Sequence, residues 1–374
     1  MIYAVASRAF ERPAKRRNAK IIKNDEEVTL KKFLIPALFA AATVLASGAT
    51  PSSAAEITLR LHTFVPPVAN PPKTFLIPWS KKLEKASHGR IKVQPFWAMQ
   101  LGGNPPQLAD QVKDGVVDIV WTLPGYNPGR FPKTEIFELP FLHRDALSTT
   151  LALQDYYDKH LKDEYKDYHM LLIHAHQGFL FMTKKPIRKL EDLKGMKLRA
   201  PSRVGVWMLS ALGATGLGMP LPQIPGALSK GVIDGMILPY EISPAVKAQD
   251  LVKYFTDLSG KTSRLGTTVF TFMMNKNSYN KLPSDLKKVV DGLSGRNIAE
   301  WAGKNWEQIE IPGEKVMKSK KKNVFYTIPE PEASRFRKAA DTVKTRLFAE
   351  LKSVGIDGAP LLADAEADIA KYAK

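Results

Sequence analysis

The sequence predicts an α/β protein made of two lobes with a long helix running between them, and three observations carry that prediction. Strand-like and helix-like segments alternate from about residue 57 onward. A thirteen-residue unit occurs twice, 116 residues apart. After Pro283 a run of helical residues extends to about Lys320, long enough to reach across two lobes.

Ile57 to Thr63 (ITLRLHT) alternates apolar and polar residues as a half-buried strand does. Phe75 to Ser87 has helical spacing through Phe75, Trp79, Leu83 and Ala86, and Gly89 ends it before the next strand at Ile91 to Pro95. Later units run from Leu108–Lys113 into Val116–Trp121, from Val206–Leu212 into Met219–Leu221, and from Ile224–Ser229 into Ile233–Leu238. In the duplication, Pro106 to Asp118 aligns without a gap on Pro222 to Asp234, with identities at Pro106/Pro222, Gln107/Gln223, Gly115/Gly231, Val116/Val232 and Asp118/Asp234. Each copy reads as a short helix, a glycine suited to a left-handed position, and a buried strand. An offset of that size is a domain length, so two lobes on one plan follow; a chance match between two ordinary helix-glycine-strand units is the alternative. Thr267 to Asn275 is β-branched and aromatic, as a strand is. The long helix should break only near Gly295, Gly303 and Pro312. Pro331–Ser353 and Gly355–Lys374 read as further helices.

The chain has 374 residues, 44% of them apolar, and a formal charge of +18. Residues 1–55 hold nine Lys/Arg against four Asp/Glu, and the remaining charges are interspersed apart from Lys318, Lys320, Lys321 and Lys322. A solvated face accounts for that run better than a nucleic-acid stripe, so no nucleic-acid partner is expected. Lys31 and Lys32 precede the apolar stretch Phe33 to Ala46, and Ser53-Ala54-Ala55 supplies a small-residue cleavage site. This is a secretory signal, too short for a membrane span of about 20 residues. Cleavage is expected near Ala55, with a mature chain from Glu56 in the periplasm. The charged stretch before Thr29 fits no part of a signal peptide, which places the expected translation start near Val28.

Chemistry for catalysis is scarce. No cysteine is present, which removes thiol nucleophiles, thiolate metal sites and disulfides. The nucleophile elbow, the phosphate loop, the His-Glu-x-x-His helix and the dinucleotide glycine motif are all missing. His174 and His176 would share one face of a strand, but no cysteine or nearby carboxylate completes a metal set, so neither a metal nor any other cofactor is expected. His143, between Leu142 and Arg144, reads as a surface-loop residue. Arg199 ends the short strand Met196 to Ala200, stopped by Pro201, where its planar fork would suit a carboxylate; a surface ion pair with Glu191 or Asp192 is the alternative. Aromatic residues gather at other strand ends, at Phe64, Phe96, Trp97, Trp121, Tyr126, Phe179, Phe181 and Tyr240. Ligands bind at the carboxyl ends of strands in open α/β sheets. The turn-forming segment Thr122 to Pro132 makes Trp121 and Tyr126 stand out as cleft residues.

Several segments together resemble the substrate-binding proteins of tripartite ATP-independent periplasmic (TRAP) transporters, over essentially the whole mature length. They are Gln100-Leu-Gly-Gly103, Lys113-Asp-Gly-Val-Val-Asp-Ile119, Pro140-Phe-Leu142, Leu190-Glu-Asp-Leu-Lys-Gly-Met-Lys-Leu-Arg-Ala-Pro201, Leu212-Gly-Ala-Thr215 and Leu228-Ser-Lys-Gly-Val-Ile-Asp-Gly235. The resemblance implies a two-lobe periplasmic binding protein fold, type II-like, whose lobes close on the ligand. It puts Arg199 on the arginine that pairs with the ligand carboxylate, and it implies membrane subunits of the transporter as partners of a monomeric binding protein. Where many relatives have Gln-Glu-Asn-Pro, this chain has Met236-Ile-Leu238-Pro239, and Phe179 stands where sialic-acid binders carry a second arginine. Both changes remove polar groups, so a heavily hydroxylated sugar acid fits poorly and a compact or aromatic monocarboxylate fits better.

The expected ligand site is therefore Arg199, Trp121, Tyr126, Phe179, Tyr240, Phe64, Leu221 and Leu238, with no catalytic residues. Lobe one is expected over 56–177 plus 266–303, and lobe two over 178–265 plus 304–374. Two other readings remain open: a periplasmic enzyme using Arg199 with His176 or Glu241 as acid or base, and a subunit that presents its ligand to a sensor protein.

Overall fold

A computed structural model describes residues 57–260 and 264–373. The expected leader, cleavage site and translation start lie outside the described residues. Along the chain the strands are β1 (Ile57–Thr63), β2 (Ile91–Phe96), β3 (Ile119–Thr122), β4 (Tyr168–Ala175), β5 (Leu180–Thr183) and β6 (Lys197–Ala200). They continue as β7 (Thr215–Gly218), β8 (Gly235–Leu238), β9 (Tyr254–Leu258), β10 (Val269–Asn275) and β11 (Val324–Ile328).

These strands form two sheets, ordered β2-β1-β3-β10-β4 and β11-β9-β5-β8-β6-β7. Both follow one plan. In each, three parallel strands (β2-β1-β3, β7-β6-β8) meet an antiparallel fourth (β10, β5). The two copies of the duplicated unit end in β3 and β8, which hold equivalent places in the two sheets. Their glycines, Gly115 and Gly231, have φ of +74° and +71°, the left-handed conformation that closes each short helix without a Cβ penalty.

The antiparallel strands are where the chain changes lobes. β4 of the first sheet leads within a few residues into β5 of the second, and β9 of the second leads back into β10 of the first. The two crossings run side by side: Phe179 N–H donates to the Gly266 carbonyl (2.8 Å) and Leu265 N–H to the Phe179 carbonyl (3.0 Å). A pair of adjacent, hydrogen-bonded connections is a compact hinge, because few backbone torsions need to change for the lobes to move.

The long helix is Arg296–Lys318. The break expected near Gly295 is present: Ser284–Gly292 is a separate helix, and Gly295 turns the chain, its N–H held by the Leu171 carbonyl at 2.7 Å. No break occurs at Gly303 or Pro312, because tertiary packing of Trp306, Ile309 and Met317 overrides the local cost of the proline. Both glycines of this helix mark close approaches. A Cβ on Gly303 would lie 2.6 Å from Leu147 Cα, and one on Gly313 would lie 2.2 Å from the Tyr240 carbonyl oxygen. The helix is thus wedged against a helix that packs on β4 and against the loop after β8. Elsewhere Met219–Leu221 is not a strand: the pairing to β6 is made by Thr215–Gly218, and Pro220 removes the next donor. The C-terminal segment forms Glu332–Ala340, Thr342–Ser353 and Gly358–Tyr372. No described helix is long and apolar enough to cross a membrane.

Candidate functional site

The carboxyl ends of β1, β3, β6 and β8 converge on one small cavity with about 30 Å³ of free space, its walls lying close together in this arrangement. Phe64 follows β1, Trp121 is next to last in β3, Arg199 lies in β6, Leu238 ends β8, and Leu221 follows β7. Phe179 comes from the hinge, Tyr126 from the turn after β3. Seven of the eight residues expected from the sequence therefore meet in one place. A larger open groove of about 510 Å³ lies between Leu139–Leu142 and the C-terminal helices, but it reaches neither Arg199 nor a strand end.

Tyr240 does not line the cavity. Its ring stacks on Phe255 with 6.2 Å between centroids and lies under the Arg264 guanidinium at 5.1 Å, on the other side of the loop that Pro239 begins. Phe181 likewise faces Phe336 in the C-terminal helices rather than the cleft, since Phe179 belongs to the connection before β5 and does not share the strand's alternation. Phe96 and Trp97 also lie outside the lining.

One wall is aromatic. Trp121 is 1% exposed and stacks between Phe64 (5.6 Å) and Phe270 (4.7 Å), while Tyr126 meets Phe64 edge-on at 5.5 Å. The indole Nε1–H donates to His174 Nε2 at 2.9 Å. Burial lowers the pKa of His174 to about 3, so the ring is neutral and Nε2 is free to accept. His176 lines the cavity and is also held neutral, chiefly by burial and then by His143. Its Nδ1 accepts from Gly178 N–H at 2.8 Å, and its Nε2 faces Thr268 N–H at 3.3 Å. Both histidines thus have structural partners in place of the shared metal that their spacing allowed. His143 is buried too, contrary to the surface-loop expectation, and pairs with the Thr149 hydroxyl at 3.0 Å.

Arg199 dominates the electrostatics. It is 1% exposed, its Nε donates to the Met219 carbonyl at 2.9 Å, and among the described residues no carboxylate forms an ion pair with it. Burial lowers its pKa to about 10, with Tyr126 opposing that shift. The surface alternative fails, because Glu191 pairs with Arg335 and Asp192 accepts from the Arg188 and Lys189 amides. The Tyr126 oxygen accepts from Leu221 N–H at 3.1 Å and also from Arg199, which leaves the phenol proton to be donated elsewhere.

Sequence reasoning did not place Val65, Leu123, Pro201, Pro239, Ile242, Thr268 or Phe270 in the site; it considered Glu241 as an acid or base candidate, and His176 as that or as a metal ligand with His174. All of these but His174 line the cavity. Thr268 is held from behind by Glu138, a carboxyl that burial raises to about 7. Contacts also cross between the lobes: Asn70 Nδ2 donates to the Glu241 carbonyl at 2.7 Å, and Arg203 makes a forked contact with Glu135 at 2.7–3.0 Å.

The sequence model of the bacterial extracellular solute-binding proteins, family 7, matches residues 64–351. Among solved structures, a TRAP solute-binding protein from a marine metagenome, specific for aromatic acid ligands and bound to 3-hydroxybenzoate, is 43% identical with a TM-score of 0.84. It covers 86% of this chain, and all of its own chain is matched. A TRAP solute-binding protein of Rhodoferax ferrireducens T118 holding benzoate is also 43% identical (TM-score 0.82; 84% of this chain and 98% of that one). One from Bordetella bronchiseptica with bound mandelate is 29% identical (TM-score 0.76; 84% and 99%).

Proposed function

The chain belongs to the bacterial extracellular solute-binding proteins of family 7, and from that premise we propose that it captures a small aromatic monocarboxylate between its lobes and delivers it to a TRAP transporter. The observation that carries the ligand class is the buried Arg199 without a carboxylate partner, set beside an aromatic wall. A buried guanidinium lacking its counter-charge costs several kcal/mol, and a ligand carboxylate offsets that cost with a two-bond, charge-assisted contact. Phe64, Trp121, Phe179 and Phe270 then offer ring faces and edges to an apolar body. Solved relatives that bind benzoate, 3-hydroxybenzoate and mandelate support the same ligand class.

The rest of the reading follows from this one. The lobes comprise 56–177 plus 266–303 and 178–265 plus 304–374, and the precursor is exported and cut near Ala55. The mature protein acts as a monomer on the membrane subunits of the transporter, without turnover of its ligand. His176 supports the absence of catalysis, since a neutral ring whose Nδ1 is spent on Gly178 is a poor general base.

Thermal unfolding of the mature protein with benzoate, 3-hydroxybenzoate, mandelate and glucuronate tests the ligand class. An aromatic acid at a hundred times its dissociation constant should add about 2.7 kcal/mol to the folded state and raise Tm. A larger shift with glucuronate than with every aromatic acid would sink the reading.

A further inference from the structure

Glu241 is the other ionisable side chain that lines the cavity besides Arg199, His176 and Tyr126, and its position differs from theirs in one respect. It is 2% exposed and its Oε2 is buried without a hydrogen-bond partner. The backbone of the same residue is fully occupied: its N–H donates to Glu310 Oε2 at 2.7 Å and its carbonyl accepts from Asn70 at 2.7 Å. Those two bonds fix Glu241 between the long helix and the opposite lobe, so what it has left to offer is the carboxyl group. A buried carboxyl oxygen with no partner costs on the order of 1–3 kcal/mol, which makes its retention in a ligand cavity informative.

The charge state of this carboxyl follows from its surroundings. Burial, and then the nearby Glu310, hold its pKa well above the ordinary carboxylate range, which favours the protonated, neutral acid. Glu310 itself is raised to about 7 by burial, with Arg264 and the Tyr240 and Glu241 amides opposing. A neutral carboxyl can donate one hydrogen bond and accept another, which suits a hydroxyl group. It does not suit a second ligand carboxylate, which would sit against Glu241 with Glu310 behind it.

We propose that Glu241 is a second anchor of the ligand site, meeting a hydroxyl substituent on the aromatic acid whose carboxylate Arg199 holds, so that the protein selects a hydroxylated aromatic monocarboxylate over the bare ring. This rests on the aromatic-acid reading above and deepens it. The selection has a physical source: a bare ring leaves the Glu241 carboxyl buried and unpaired, whereas a hydroxyl satisfies it. The ring faces of Phe64, Trp121 and Phe270, which have no hydrogen-bonding preference, lie outside this discrimination.

Titration calorimetry on the mature wild type, Glu241→Leu and Glu241→Gln with benzoate and the three hydroxybenzoate isomers tests the proposal. At least one isomer should bind wild type about tenfold or more tightly than benzoate, equivalent to about 1.4 kcal/mol. Glu241→Leu should lose that preference while still binding benzoate, and Glu241→Gln, neutral and able to donate and accept, should keep most of it. Glu241→Met, closer in shape to glutamate, replaces the leucine variant if the latter does not fold. An unchanged preference in the leucine or methionine variant overturns the role of Glu241 while leaving the aromatic-acid reading intact, as does a wild type that favours no isomer over benzoate. A wild type that binds none of the four acids removes both.

Discussion

The two lobes meet the cavity with different chemistry although their sheets share one plan. From the five-stranded sheet come Phe64, Trp121 and Phe270, rings that stack on one another. From the six-stranded sheet and its loops come Arg199, Leu221, Leu238 and Glu241, a buried cation and a buried neutral acid among aliphatic groups. The equivalent strands β3 and β8 end differently, in Trp121-Thr122 and Ile237-Leu238, so duplication preserved the frame and left the strand ends free to diverge. Affinity should therefore be unevenly distributed: a directional, charge-dependent part on one lobe and an area-dependent part on the other.

The largest expected effect is on the polar side. Arg199→Ala should lose most binding, by about 3–5 kcal/mol, because the ligand carboxylate is left unpaired in a site closed to water. Arg199→Lys keeps the charge but not the fork, and should also bind far more weakly than wild type. The folded state should not suffer equally, since removing an unpaired buried charge relieves a desolvation cost. Calorimetry with benzoate decides this. Binding by Arg199→Ala within a factor of about three of wild type, less than ~1 kcal/mol, would move the anchor elsewhere.

On the aromatic side the effect divides between binding and folding. Trp121 is both wall and core, stacked on two rings and bonded to His174. Trp121→Ala should cost about 3–5 kcal/mol of stability as a large-to-small core change, in addition to weakened binding. From the sequence alone the same substitution is expected to leave the fold intact, and the burial of the indole reverses that. Trp121→Phe separates the two roles: it keeps a ring face and leaves His174 Nε2 without its donor, so Tm should fall by less than in the alanine variant while most affinity survives. Equal loss of Tm in the two variants would show that the hydrogen bond, not the packing, holds this wall together.

What the sequence disclosed and what it hid divide along the same line. Strand ends were legible because strand periodicity and turn residues locate them, and that brought Phe64, Trp121, Arg199 and Leu238 together without any knowledge of pairing. Tyr240 misled because Pro239 redirects the chain after β8, and a one-residue change of facing separates cleft from core. Phe270 and Thr268 were hidden by distance: β10 inserts beside β3 only because the chain crosses back between lobes, and local pattern says nothing of where a returning strand is placed. The signal for Glu241 was present as an acidic residue three positions past the end of β8, but its burial depends on Asn70 and the long helix. The continuity of that helix was illegible for a related reason, since the packing of Trp306 and Met317 on either side of Pro312 is a tertiary fact.

The smallest effect should come from the residue that joins the two sides. Tyr126 belongs to the turn after β3, yet its oxygen accepts from Leu221 N–H and from Arg199, both on the opposite lobe. Burial raises its pKa, with Arg199 opposing, so the phenol stays protonated and has one hydrogen left to give to a ligand carboxylate beside Arg199. Tyr126→Phe keeps the edge contact to Phe64 and removes the oxygen, leaving the Leu221 N–H without its acceptor in the closed arrangement. Affinity for benzoate should fall by about 1–1.5 kcal/mol, roughly tenfold, the value of one hydrogen bond and of the donor left behind. Because the lost bond links the lobes, the release rate measured by stopped-flow should rise more than the association rate falls. If association slows and release does not change, Tyr126 shapes the open protein and plays no part in holding it shut.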